Sequence, residues 1–323
     1  MRAMVRSRFG SPDVLELKDI DRPVVTDDDV LVRVRATSVN AGDWYTLTGT
    51  PFLGRMAFGL LKPKLAVLGT DFAGTVESAG RNVKQFQPGD EVFGGTSEAY
   101  AEYVSVPADG AVVPKPANIT FEQAGAVAVA AITALQGLRD KGHIQAGQKV
   151  LINAASGGVG TFAVQIAKSF GAEVTAVCST RNVEIARSLG ADHVIDYAHD
   201  DFTRSDQRYD LMLDIAGSRS WSECKRVLNP HATLVVVGAP KGNRLLGPVS
   251  HLAKVGLAAM RSTQKVVFFV AKLNKADLVV LQELLEAGKV TPSIDRRYEL
   301  SDVADALRYL EEGHARGKIV ITV

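Results

Sequence analysis

Cysteine is almost absent from this chain: its 323 residues hold two, Cys178 and Cys224. Two thiols exclude a disulfide framework and suit a reducing compartment, where they read as ordinary buried side chains. Residues 1 to 142 contain neither cysteine nor histidine, His143 being the first of either. Zinc is held by thiolate and imidazole far better than by oxygen alone, so no metal is expected. Net charge is missing too: 37 basic against 36 acidic side chains leave +1, with no overall field to gather nucleic acid or an anionic membrane. No apolar run approaches the ~20 residues that span a bilayer, and no signal-type run follows Met1–Arg6. The expectation is a cytosolic protein whose partner is a small molecule.

What is present changes character along the chain. Residues 1 to about 120 read as short strands between Gly, Pro and Asp turns. Leu31 to Ala36 alternates as a half-buried strand, and Pro88-Gly89-Asp90 turns into Glu91-Val92-Phe93. From about 121 to 289, Ala-rich helical stretches alternate with Val/Ile runs, as α/β units do. Strands are expected near 149–154, 173–178, 193–196, 209–214, 232–237 and 265–270, with helices near 158–169, 182–189, 218–227 and 275–287. The tail, 290–323, returns to strand and loop with one helix near 301–312 and a last strand at 318–323. The organisation is thus a β-barrel-like domain (1–120 plus 290–323) carrying an inserted, doubly wound dinucleotide-binding domain (121–289).

The strongest chemical signal is Val150-Leu151-Ile152-Asn153-Ala154-Ala155-Ser156-Gly157-Gly158-Val159-Gly160, an apolar strand entering a glycine turn and then a helix. Glycines admit a pyrophosphate close to the backbone, and the helix N-terminus offers it unpaired N–H groups. At the end of the next strand, Ala176-Val177-Cys178-Ser179-Thr180-Arg181-Asn182 supplies no carboxylate to hold a ribose 2′-OH. Ser179, Thr180 and Arg181 can instead receive a 2′-phosphate, which selects NADPH. The alternative is a helix cap beside a solvated arginine.

These residues, with Gly69-Thr70-Asp71-Phe72-Ala73-Gly74-Thr75-Val76, Gly89-Asp90-Glu91-Val92-Phe93-Gly94 and Leu189-Gly190-Ala191-Asp192-His193-Val194-Ile195-Asp196-Tyr197, resemble the medium-chain dehydrogenase/reductase superfamily, within it the quinone oxidoreductase branch. The resemblance runs nearly end to end. It implies a GroES-like domain bearing an inserted Rossmann domain, with the nicotinamide in the cleft between them. It implies Ser156, Gly157, Gly158 and Val159 at the pyrophosphate, Ser179 to Arg181 at the 2′-phosphate and Tyr197 near the adenosine. Gly238, Ala239 and Pro240, and Phe268, Phe269 and Val270, are implied beside the nicotinamide, with Thr133 and Lys318 as further cofactor contacts. It also implies a homodimer, because the apolar strand from Lys265 to Val270 would be an exposed sheet edge in a monomer. Where the zinc-using branch supplies a thiolate and an imidazole, this chain has Asn40 and Thr70-Asp71.

Hydride transfer to a quinone or activated alkene needs positioning and a donor for the developing oxyanion, not a strong base. Val39-Asn40-Ala41-Gly42-Asp43-Trp44-Tyr45 resembles the segment lining the substrate side of the nicotinamide. Asn40 is expected to position and Tyr45 to donate, with Asp43 bracing the loop. The apolar stretches Pro51 to Pro63 and Leu245 to Val249 either roof a lipophilic site or serve packing. The six histidines lack metal-binding spacing and read as surface residues, His314 being the one beside the cofactor-binding tail. The expected function is NADPH-dependent reduction of a lipophilic quinone or enone; the alternatives are a metal-free alcohol or aldehyde dehydrogenase and a nucleotide-binding protein without turnover.

Overall fold

The computed structural model describes residues 1–50, 59, 62–238, 249–260 and 262–323. Fifteen strands are described along the chain. The first seven are β1 (Arg2–Val5), β2 (Glu16–Asp19), β3 (Asp29–Ser38), β4 (Asp71–Ala79), β5 (Glu91–Gly95), β6 (Tyr103–Pro107) and β7 (Val112–Pro114). Then come β8 (Lys149–Asn153), β9 (Glu173–Cys178), β10 (His193–Asp196), β11 (Tyr209–Asp214), β12 (Leu228–Val236) and β13 (Lys265–Phe268), and finally β14 (Ile294–Glu299) and β15 (Lys318–Thr322). The fold is α/β, and the chain divides into two units, Met1–Ile132 with Leu273–Val323, and Thr133–Lys272.

In the first unit β3 is the organising strand. It pairs with β4 along one edge, while its other edge takes β6 in its first half and β15 near its end. Register shifts between Leu31 and Val32 and between Val34 and Ala36 bend it so that both partners fit, as bulges do. Val32, Val34 and Ala36 are buried and Arg33 and Arg35 exposed, the period of two that the sequence shows. At Thr37 and Ser38 the alternation ends, both being fully buried; their hydroxyls reach Asp71 on β4. A second apolar cluster joins Leu47, Tyr100, Val303, Leu307, Ile319 and Ile321. The C-terminal segment is therefore built into the core of this unit.

The unit boundaries differ from those the sequence suggests. The helix Phe121–Ala124, most of the helix Ala128–Leu135 and the helix Lys275–Glu286 lie with the first unit, not with the inserted one. Specific contacts hold them there: Val129 N–H donates to Asp71 Oδ1 (2.7 Å), Asn118 Nδ2 to Leu285 O (2.9 Å) and Lys275 Nζ to Ala108 O (3.0 Å). Helical texture does not say which sheet a helix covers.

The second unit holds a six-stranded, all-parallel sheet in the order β10-β9-β8-β11-β12-β13, the doubly wound Rossmann order. Val150, Leu151 and Ile152 of central β8 are fully buried, as a strand covered on both faces requires. The order reverses between β8 and β11, so their carboxyl ends form the crevice in which such sheets bind ligands. The strands lie where the sequence puts them, except that β12 starts earlier and β13 ends at Phe268. Among the described residues no helix is long and apolar enough to cross a membrane.

Candidate functional site

The turn after β8 is held in a backbone conformation that few residues adopt. Ala154 has φ +64°, in the left-handed region that costs a side-chain-bearing residue about 1 kcal/mol or more. Ala155 N–H donates to Val177 O (3.0 Å) and Gly157 N–H to Ala154 O (3.2 Å), and the helix Gly158–Ser169 begins with Gly157 at its N-cap and no side chain capping it. Two glycines here have different causes. A Cβ at Gly160 would fall far inside van der Waals contact with Ala154 O, so helix and turn exclude one. Gly157 has an extended backbone that any residue adopts, and a Cβ there would meet nothing closer than Ala154 O at 3.6 Å. Nothing within the protein requires glycine at 157; the missing side chain clears the front of an uncapped helix N-terminus, which fits the close approach of a pyrophosphate.

Around the cradle the partners are fixed. Asn153 Nδ2 donates to Asp214 Oδ1 (2.8 Å), which also accepts Gly217 N–H (2.9 Å), tying the ends of β8 and β11 together. Ser179 opens the 3-10 turn Thr180–Asn182 without capping it; its Oγ accepts from Asn182 Nδ2 (3.1 Å) instead. The same Nδ2 donates to Ser156 Oγ (2.8 Å). Asp196, at the end of β10, accepts from Thr180, which holds its carboxyl below the usual range. The end of β9 carries no carboxylate of its own; the adjacent strand brings one. Tyr197 is 57% exposed and its N–H donates to Cys178 O (3.0 Å). Burial pushes the Cys178 thiol up to about 11 and Cys224 up to about 12, so both are inert packing residues.

The remaining expected cofactor residues are dispersed. A Cβ at Gly238 would strike Ile215 O, so that glycine has a packing cause of its own. Ala239 and Pro240 lie outside the described residues, as do most of 51–63 and residues 245–248. Phe268, 37% exposed, lies against Gly256 of the helix Val249–Ala259, Phe269 lies against Gly137, and Val270 is exposed; the three side chains have different surroundings. Thr133 is half-buried on the helix Ala128–Leu135.

Lys318 departs furthest from expectation. It is 3% exposed, and its ammonium donates to Asn40 Oδ1 (2.5 Å), Asp71 Oδ2 (3.2 Å) and Val39 O (3.5 Å). Asn40 Nδ2 donates to Asp71 Oδ2 (3.0 Å) and Ser38 O (3.4 Å), and Ser38 Oγ to Asp71 Oδ2 (2.5 Å). Both ends of the Asn40 amide and all three ammonium hydrogens are thus engaged within the first unit. Asn40 acts as the hub of a closed polar cluster, not as an open donor. Tyr45, on the helix Ala41–Thr48, keeps a hydroxyl with no partner among the described residues, and burial raises its pKa.

Asp43 braces the loop as expected. Its Oδ2 accepts Asn40 N–H (2.8 Å) and Tyr100 Oη–H (2.8 Å). Burial, outweighing those hydrogen bonds, raises its pKa to about 6, with Asp71 adding to the rise and Lys318 opposing it. Asp71, Ser38, Tyr100 and Asn182 went unrecognised as partners in the sequence. Only Asp71 left a signal there, in the Thr70-Asp71 pair that the resemblance sets against a zinc ligand.

Residues 26–117 match the alcohol dehydrogenase GroES-like domain family, and residues 189–321 match the family described as zinc-binding dehydrogenase. The mouse mitochondrial NAD(P)H oxidoreductase RTN4IP1 is 33% identical over 100% of this chain and 89% of its own. The structure of the quinone oxidoreductase from Coxiella burnetii superposes with a TM-score of 0.88 at 31% identity, covering 100% of this chain and 99% of that one. The chain belongs to the medium-chain dehydrogenase/reductase superfamily, in its quinone oxidoreductase-like branch. Another member, the chloroplastic NADPH-dependent alkenal/one oxidoreductase of Arabidopsis thaliana, is 34% identical over 99% of this chain and 79% of its own. As a medium-chain dehydrogenase/reductase, the protein is an oxidoreductase. The zinc in one family's description finds no thiolate or imidazole in residues 1 to 142.

The buried Asp43 yields a signed prediction. Its folded pKa of about 6 exceeds an unfolded value of ~3.9, so its contribution is complete below about pH 4 and lost as pH rises through 6. The loss amounts to at most about 3 kcal/mol. Asp43→Asn retains an acceptor for Asn40 and Tyr100 and cannot ionise. Urea unfolding should show the variant gaining about 2 kcal/mol on wild type between pH 4.5 and pH 7.5. An equal difference at both pH values would mean that Asp43 ionises normally.

Proposed function

We propose that this protein is an NADPH-dependent, metal-independent reductase of lipophilic quinones or α,β-unsaturated carbonyl compounds. The observation that carries the reading is Gly157: a glycine without an internal cause, at the uncapped N-terminus of the first helix after β8, at the crevice of a parallel sheet. Residues 156–159 would hold the pyrophosphate, Ser179 and Arg181 the 2′-phosphate, and Tyr197 the adenosine. NADPH, when bound, supplies a hydride from its nicotinamide. Tyr45 is the protein's donor to the acceptor's oxygen: with its pKa raised, its hydroxyl keeps its proton at neutral pH and can stabilise a developing oxyanion. Lys318 supports the metal-free assignment on positive grounds. Its ammonium occupies the centre of the oxygen donors Asn40 and Asp71, and a metal there would have to displace a buried cation.

The names of relatives agree with the chemistry, one being an NADPH-dependent alkenal/one oxidoreductase and another a quinone oxidoreductase. With NADPH in excess, a screen of quinones, enones and aldehydes should give steady NADPH oxidation with the first two classes, unchanged after exhaustive chelation. Turnover confined to alcohols or aldehydes, or zinc lost in step with activity, would overturn it.

A second reading, NADH in place of NADPH, is favoured by one observation, the Asp196 carboxylate beside Thr180. Arg181→Ala decides between them. Loss of a charged contact to the 2′-phosphate should raise the NADPH dissociation constant about 10- to 100-fold, equivalent to about 1.5–3 kcal/mol, and leave NADH almost unaffected. Equal losses for both cofactors, read by fluorescence titration, would count against NADPH.

We also propose a homodimer through the outer edge of β13, an end strand of the six-stranded sheet carrying the exposed Phe268. An open edge of this kind is a template for a second strand. Sedimentation velocity at micromolar concentration should show twice the monomer mass; a monomer alone would sink the proposal.

A further inference from the structure

We propose that Asn182 is a positioning residue that turns the hydroxyl hydrogens of Ser156 and Ser179 outward, as paired donors to the phosphate oxygens of the dinucleotide. The proposal rests on the dinucleotide reading above and names the residue that prepares its site. Asn182 is 4% exposed. Its residue type and its place, directly before the helix Val183–Ser188, suit an N-cap, yet its side chain makes no capping hydrogen bond. Both Nδ2 hydrogens go instead to serine oxygens, Ser156 Oγ at 2.8 Å and Ser179 Oγ at 3.1 Å.

The orientation of the amide follows from donor counting. As placed, one buried acceptor, Oδ1, is left without a partner. Turned over, the amide would take both serine hydroxyls on its oxygen and bury two N–H donors unpaired, which is worse. So each serine oxygen accepts, and each hydroxyl hydrogen has to be given elsewhere. Among the described residues no acceptor receives either one. Ser156 precedes Gly157 at the open N-terminus of the cradle helix, and Ser179 follows the last residue of β9, two positions before Arg181. One amide therefore sets donors at two places where an anionic ligand would present oxygen.

The unpartnered Oδ1 separates this from a role in folding. A leucine of similar size would avoid the buried acceptor and lose only the serine contacts, so a side chain selected for stability has no need to be asparagine here. Asn182→Leu should therefore leave the thermal midpoint unchanged or higher while raising the dissociation constant for NADPH about tenfold.

The deciding experiment is a double-mutant cycle read by fluorescence titration of NADPH and NADH against wild type, Asn182→Leu, Ser179→Ala and the double variant, with thermal melts of each. Ser179→Ala should weaken NADPH severalfold in wild type and have little effect in the leucine background, where the Ser179 hydroxyl is no longer directed. Equal Ser179→Ala penalties in both backgrounds, or a lower melting temperature with unchanged affinity, would overturn the proposal. Wild type binding NADH as tightly as NADPH overturns the 2′-phosphate reading alone; the cycle is then read from Ser156→Ala with NADH, and additivity there overturns the role of Asn182. Wild type binding neither cofactor overturns both readings. Should Asn182→Leu fail to fold, Asn182→Asp, which accepts where the amide donates, is expected to raise the NADPH dissociation constant more than tenfold.

Discussion

A single buried ammonium holds the first unit together. Lys318, near the end of the chain, meets Asn40 and Asp71 across separations of 278 and 247 residues, joining β15 to β4 and to the start of the helix Ala41–Thr48. Asp71 in turn accepts from Ser38 on β3 and from the backbone of Val129. Removing either charge from such a pair costs about 3–5 kcal/mol, because the partner is left buried and unpaired. The benefit is placement, not net stability. An ammonium among oxygen donors fixes the distance between β15 and β4, which flank β3 on opposite edges.

The same helix is held at its other end by a second buried cation. Arg6 donates through Nη1 to Thr46 O (2.5 Å) and Leu47 O (3.2 Å) and through Nε to Leu65 O (3.3 Å). Burial lowers its pKa to about 10, still charged at neutral pH. A positive charge at the last carbonyls and a carboxylate, Asp43, in the first turn both agree with the helix dipole. Tyr45 is carried between these clamps, so its hydroxyl is presented by a short element whose ends cannot fray.

Much of this was legible in the sequence because backbone chemistry is local. The strand from Lys149, the turn at Gly157 and the helix to Ser169 follow from neighbours within twenty residues, and the structure reproduces them nearly residue for residue. Pairings made across the fold were not legible. Asp196 reads as the end of one strand, and only the parallel register that sets it opposite Cys178 places its carboxylate beside Thr180. In the sequence Lys318 opens the last strand, and the resemblance implies it as a cofactor contact. The placement of β15 between β14 and β3 makes it an interior residue, its ammonium on Asn40 and Asp71. Composition likewise assigned the helix Lys275–Glu286 to the inserted unit, although Leu278, Leu281 and Leu285 are buried against the first.

The two units solve opposite electrostatic problems with similar residues. In the first, Asn40 has every hydrogen-bonding atom engaged, and the cluster around it is closed to further donors and cations. In the second, Asn182 leaves one acceptor unpaired and two serine hydroxyl hydrogens unspent. A closed cluster is what a rigid support requires, because any unpaired group inside it would lower its stability. Unspent donors are what a ligand site requires, since hydrogen bonds already satisfied within the protein cannot be offered to a phosphate without first being broken. The same amide side chain thus identifies support or site according to how much of its hydrogen-bonding capacity the fold leaves unused.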